Sequence, residues 1–176
     1  MVPQIFYPAS YRTIEAMHQG TRPVTDTLQI RPVTPADFDA WLPLWDGYNA
    51  FYGRAGATAL PRTITDLTWN RFFDGYEPMH ALVAERDGQL VGLVHYLFHR
   101  STTLVGPTCY LQDLFTLASE RGKGVGRALI EAVYTRAKAS GSSRVYWITQ
   151  ETNTTAMRLY DDVASRPGFV VYRKEL

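Results

Sequence analysis

The segment that most restricts how this chain can fold is Arg121-Gly122-Lys123-Gly124-Val125-Gly126, which follows the apolar run Leu114-Phe115-Thr116-Leu117. Three alternating glycines let a backbone approach a ligand closely and turn its N–H groups outward. The helix predicted directly behind them adds unsatisfied donors and the positive end of a dipole. The segment therefore asks for a strand on one side and a helix on the other, and it suits a pyrophosphate. Two familiar phosphate loops do not fit. The NTPase loop ends Gly-Lys-Ser/Thr, whereas Gly124 follows Lys123 here, and the dinucleotide fingerprint needs GxGxxG where these glycines run GxGxG. A glycine-rich turn that merely joins strand to helix is the alternative for the loop alone.

Regular structure is expected from Leu28-Gln29-Ile30-Arg31-Pro32-Val33, an alternating strand. Thr34-Pro35-Ala36-Asp37 supplies a hydroxyl cap, a proline at the first helical position and an acid in the first turn. Trp41, Trp45, Tyr48 and Tyr52 then recur on one helical face, with Pro43 and Gly47 as sites for a kink or break. A second helix is expected from Thr65-Asp66. Ala81–Glu85 and Leu90–Leu97 flank Arg86-Asp87-Gly88-Gln89, and Asp-Gly between apolar runs predicts a hairpin. Further strands are expected at Cys109–Leu117, Arg144–Thr149 and Phe169–Tyr172, and helices at Val125–Ala139 and Thr154 to about Ala164. This order predicts an α/β (α+β layered) domain with a mostly antiparallel sheet. Residues 1–27 hold Pro3, Pro8, Gly20 and Pro23 without a sustained period, and read as an arm that is poorly ordered or packed on a partner.

At 176 residues the chain suits one domain with a sizeable core. Its 18 basic and 17 acidic side chains give a net charge of +1, which offers no overall pull toward nucleic acid or an anionic membrane. The single cysteine, Cys109, excludes an intramolecular disulfide, and no His/Cys spacing suits zinc, so no metal is expected. With no signal-like or spanning segment, a cytoplasmic protein is the default expectation. Cys109 in an apolar strand, and His95 and His99 in the strand region, read as structural.

Arg-Gly-Lys-Gly-Val-Gly at 121–126 resembles the R/Q-x-x-G-x-G/A signature of the GNAT (Gcn5-related) N-acetyltransferase superfamily. The resemblance continues through Tyr110–Phe115 upstream and through Asn153, Ala156, Leu159, Tyr160 and Gly168-Phe169 downstream. It covers about residues 28–176. Tyr110–Phe115 and Tyr160–Ala164 look most like the yeast Hpa-type acetyltransferases and their bacterial relatives, with spermidine/spermine acetyltransferases more distant.

The resemblance implies the GNAT fold, a mixed twisted sheet flanked by helices, with acetyl-CoA as cosubstrate. Leu114, Phe115 and Thr116 resemble the strand that pairs with pantetheine. Arg121, Gly122, Lys123, Gly124, Val125, Gly126 and Arg127 would bind the pyrophosphate. Asn153 matches the residue that meets the pantetheine arm, and Tyr160, seven residues on, matches the general acid. The spermidine/spermine enzymes carry a glutamate where Gln112 stands, and glutamine cannot serve as a base. Asp113 and Glu151 are the remaining base candidates, unless the enzyme draws on the small neutral fraction of amine. Trp45, Asp46, Tyr48, Asn49 and Tyr52 form the candidate acceptor wall, with an aromatic face packed in the core as the other reading. The expected activity is acetyl transfer to a primary amine of a small molecule such as a polyamine or amino acid. A protein lysine or N-terminal acetyltransferase and a non-catalytic CoA-binding module are the alternatives. A homodimer is what the resemblance suggests.

Overall fold

The computed structural model describes residues 27–176. The expected arm over 1–27 thus falls almost wholly outside the described residues. Strand β1 (Gln29–Pro32) leads into a short 3-10 turn and helix α1 (Phe38–Phe51), then α2 (Arg62–Arg71). Next come β2 (Met79–Arg86), β3 (Gln89–His99) and β4 (Thr108–Thr116), followed by α3 (Val125–Ala139), β5 (Val145–Tyr146) and α4 (Thr154–Val163). The strands lie in sequence order in one sheet, antiparallel except for the parallel β4–β5 pair. Asp87 and Gly88 turn the β2–β3 hairpin with φ of 52° and 76°, the two left-handed residues of a tight turn whose twist matches the strands.

The sheet carries a core on each face. Against α3 lie Leu82, Val94, Cys109 and Leu111, packed on Val125, Leu129 and Val133. Against α1 and α2 lie Val83 and Leu93, packed on Trp41, Leu44, Trp45 and Trp69. Because β2 is covered on both sides, it reads as a continuous apolar run rather than an alternation. Helix α1 continues through Pro43, since its buried aromatic face outweighs one lost backbone bond.

Arg31 fixes the start of α1. Its guanidinium donates to both oxygens of Asp37 at 2.7 and 2.8 Å, and to Glu85 at 2.7 Å. Asp37 also accepts the backbone N–H and the hydroxyl of Thr34. Hydrogen bonding by Arg31 is the main reason its carboxyl is held at about 2, below its ordinary 3.8. The stabilisation is full above the ordinary value and is lost as pH falls toward about 2. Asp37→Asn is expected to cost about 1–2 kcal/mol at pH 7, after allowance for solvent screening. Urea denaturation checks this; equal midpoints for the two proteins at pH 7 would contradict it.

Two expectations on the C-terminal side are corrected. The strand expected over 144–149 is confined to Val145–Tyr146. The strand expected over 169–172 does not form, and Phe169, Val170, Val171 and Tyr172 are 63–94% exposed. Alternation records the preference of a segment for a pleated surface, but a strand also needs an edge to join.

Candidate active site

The site begins at a fault in the sheet. Along β3–β4, His95 pairs with Asp113 and Tyr96 pairs with Leu111, which leaves Gln112 as an extra residue in β4. Such a bulge bends a strand and changes its twist. On the other edge, β5 pairs only with Cys109 and Tyr110. Beyond those pairs the two strands part, and a cleft of about 790 Å³ lies between them. Leu114, Phe115 and Thr116 line one wall, Trp147, Ile148 and Gln150 the other. The backbone of Leu114–Thr116 bonds β3 on its inner edge. Its outer edge lies beyond the reach of β5 and can accept an extended ligand as an added strand.

The glycine loop closes one end. Gly122 and Gly124 adopt φ of 76° and 84°, a region that penalises any side chain, and Gly124 caps α3. Arg121, Gly122, Gly124, Val125, Gly126 and Arg127 all line the cleft. At Gly126 a Cβ would sit 3.3 Å from Leu159, so the bare backbone lets α4 approach the start of α3. The first turn of the fifteen-residue α3, whose N–H groups have no partner within the helix, thus borders the cleft. Lys123 instead pairs with Glu120 at 2.9 Å, and Arg127 with Asp162 at 2.9 Å. These features fit a pyrophosphate continued by an extended arm.

Asn153, the N-cap of α4, and Tyr160, two turns further along, both line the cleft. Asn153 donates to Thr149 Oγ1 at 3.2 Å. Tyr160 meets Trp147 edge-on, with ring centroids 5.3 Å apart. Burial, with a smaller contribution from Tyr52, pushes its hydroxyl up to about 12, so it keeps its proton at neutral pH.

The acceptor-side residues divide. Tyr48 and Tyr52 line the cleft, joined by Phe51. Trp45 is core: it stacks between Trp41 and Tyr48 and donates to Thr65 at 3.3 Å. Asn49 is buried, donates to the Trp45 carbonyl at 2.9 Å and accepts Arg54 Nε at 2.7 Å. Asp46 is exposed and lines a separate shallow groove. Glu151 is exposed, and it is not among the side chains lining the cleft. Asp113 is 7% exposed, is absent from the cleft lining, and lies near enough to Tyr48 for its charge to raise that hydroxyl.

Arg54, unmarked in the sequence, lies over the rings of Tyr48 and Tyr52 at 5.7 and 5.4 Å. His95, read as structural, bonds Asp113; a polar residue among the apolar positions of a buried strand was the available signal. Helix α1 is seated by Gly47, where a Cβ would lie 2.7 Å from the Phe115 ring. Among the described residues no cluster of His, Cys, Asp or Glu could hold a metal, and no helix is long and apolar enough to cross a membrane.

A sheet parted beside a glycine loop and a helix start is the build of a CoA-type nucleotide site, and the comparisons agree. The acetyltransferase (GNAT) family model matches residues 41–163. D-amino-acid N-acetyltransferase HPA3 of Saccharomyces cerevisiae is 35% identical over 153 residues, which cover 86% of this chain and 92% of that protein. Mycothiol acetyltransferase of Thermobispora bispora is 29% identical over 159 residues, covering 84% of this chain and 52% of that longer protein. The solved structure of AAC(6')-Iy with a CoA-containing bisubstrate analogue shares the fold at TM-score 0.71 and 16% identity, covering 85% and 99% of the two chains. The chain belongs to the GNAT acetyltransferase family. It is an N-acetyltransferase with acetyl-CoA as cosubstrate.

Proposed function

We propose that the chain transfers the acetyl group to the primary amine of a small molecule, with an α-amino acid as the favoured acceptor. The observation that carries this reading is 35% identity to D-amino-acid N-acetyltransferase HPA3 over nearly its whole length. The acceptor wall supports it. The Arg54 guanidinium stands beside that wall, over the rings of Tyr48 and Tyr52 at 5.7 and 5.4 Å, on the side of the groove that Asp46 lines. An acceptor that carries a carboxylate needs such a cation near its amine.

In this reading the backbone of Leu114–Thr116 holds the pantetheine arm, and the 122–127 loop holds the pyrophosphate. Tyr160 donates toward the leaving sulfur. Thiol release from acetyl-CoA is measured across D- and L-amino acids, polyamines, aminoglycosides and lysine peptides. Amino acids are expected to lead. Arg54→Gln is expected to raise KM roughly 5–30-fold for amino acids, the worth of one charge-assisted bond, while sparing acceptors without a carboxylate. Turnover confined to peptides would favour a protein substrate, and CoA binding without turnover would favour a non-catalytic module.

A further inference from the structure

Beneath the acceptor wall, side chains from three elements form one line of donors and acceptors. Trp41 and Tyr48 come from α1, His95 from β3 and Asp113 from β4. Trp41 Nε1 lies 3.1 Å from His95 Nε2, and His95 Nδ1 lies 3.0 Å from Asp113 Oδ2. An indole N–H can only donate. His95 Nε2 must therefore accept, so the ring proton sits on Nδ1 and is donated to Asp113. Trp41 is 0% exposed and His95 1%, and the rings of Trp45 and Phe72 flank the imidazole at 5.3 and 4.6 Å. The ring is held in one orientation and one tautomer.

This arrangement is costly for packing alone, because a buried carboxylate loses its hydration and neutral donors return only part of it. Asp113 takes its hydrogen from His95 Nδ1, and its charge lies near enough to Tyr48 to raise that hydroxyl. Tyr48 in turn is the member of the line that borders the cleft. The bulge at Gln112 stands beside the His95–Asp113 pair, so the chain turns from core to cleft at this point.

We propose that these four residues form a buried proton relay: Trp41 and His95 position Asp113, and Asp113 takes, through the Tyr48 hydroxyl, the proton that the acceptor ammonium must lose. This rests on the acetyl-transfer reading above. The ammonium gives one proton to the Tyr48 oxygen as Tyr48 passes its own to Asp113. The neutral amine then forms its N–C bond to the acetyl carbon while the C–S bond breaks and its electron pair leaves on sulfur. The second amine proton goes to that sulfur, giving the thiol and the amide. Asp113 afterwards returns its proton through Tyr48 to water.

Burial, reinforced by the Asp113 charge, holds the Tyr48 hydroxyl well above its usual range. Its two transfers are therefore concerted rather than passing through a tyrosinate. Tyr52 and Tyr110 also lie within the field of Asp113, and Arg54 opposes that field at Tyr48 and Tyr52. His95 is a positioning residue; Tyr48 is the group that touches the acceptor.

The test compares His95→Leu, His95→Asn and Trp41→Phe with the parent chain. His95→Leu is expected to lower kcat/KM for the amine about 10–100-fold at unchanged CoA affinity. His95→Asn, whose amide N–H stands close to the Nδ1 position, is expected to regain about tenfold of that loss, which a packing role would not produce. At pH 8, ¹⁵N shifts of the His95 ring are expected to report the Nδ1–H tautomer, moving toward Nε2–H in Trp41→Phe. Full activity in His95→Leu, or an Nε2–H tautomer in the parent chain, would overturn the relay. If His95→Leu does not fold, His95→Asn and the ring shifts decide the matter. If no amine is turned over at all, the acetyl-transfer reading fails, while the tautomer still judges the relay's geometry.

Discussion

Tyr160→Phe is expected to lower kcat by roughly 10²–10³ while leaving the affinity for CoA within about threefold. The substitution removes one hydroxyl and keeps the ring against Trp147, so the cleft wall survives. What disappears is the donor proposed to face the leaving sulfur. A hydroxyl held at about 12 cannot fully protonate an alkyl thiolate near 8.5, because that transfer is uphill. Its service is a hydrogen bond that strengthens as charge collects on sulfur. The same shift keeps the group protonated to far above neutrality, so loss of this donor should impose no alkaline fall in rate below about pH 10. The sign for stability is the reverse of the carboxylate case: the contribution is full below the ordinary value of 10.0 and fades as pH rises through about 12. Steady-state kinetics with calorimetry of CoA binding provide the check. Wild-type kcat in the variant would remove Tyr160 from the chemistry.

Trp41→Ala is expected to cost about 3–5 kcal/mol, against a total stability of about 5–15 kcal/mol for a domain of ordinary stability. Among the described residues no other ring meets as many others. Trp41 is 0% exposed, stacks on Trp45 at 5.6 Å, and meets Trp69 at 4.8 Å and Phe72 at 6.1 Å. Truncation opens a cavity under α1 and removes the donor to His95 Nε2. The melting temperature should fall by roughly 6–20 °C, read by circular dichroism or calorimetry. A loss under about 1 kcal/mol would mean that α2 can close the gap, and that the aromatic face is less tightly built than its geometry states.

Features encoded within a few residues were legible in the chain. The Asp87-Gly88 turn, the whole of α3 from Val125 to Ala139 and the glycine loop each rest on local chemistry, and each lies where it was expected. The aromatic face of α1 was legible as a face, but its division was not. Trp45 packs in the core while Tyr48, about one turn further along, borders the cleft, a division that helical period does not report. His95 and Asp113 are 18 positions apart and meet only across the β3–β4 register. That register is itself displaced at Gln112, a residue first noted for lacking an acid. The segment 169–172 shows the opposite failure, a sound local preference without an edge to satisfy it.

The contact between Gly47 and Phe115 bears on how such chains diversify. A helix backbone and the tip of an aromatic ring meet there without an intervening side chain, so how closely α1 lies on β4 depends on that contact. Gly47 need never touch an acceptor for this to matter. A single methyl at that position would stand 2.7 Å from the ring tip, so either the Phe115 ring turns within the cleft it lines or α1 shifts and carries Tyr48, Phe51 and Tyr52 with it. Acceptor size can then drift through substitutions beneath the binding surface while every contacting residue stays the same. Comparing only contact residues between two such enzymes would pass over a position of this kind.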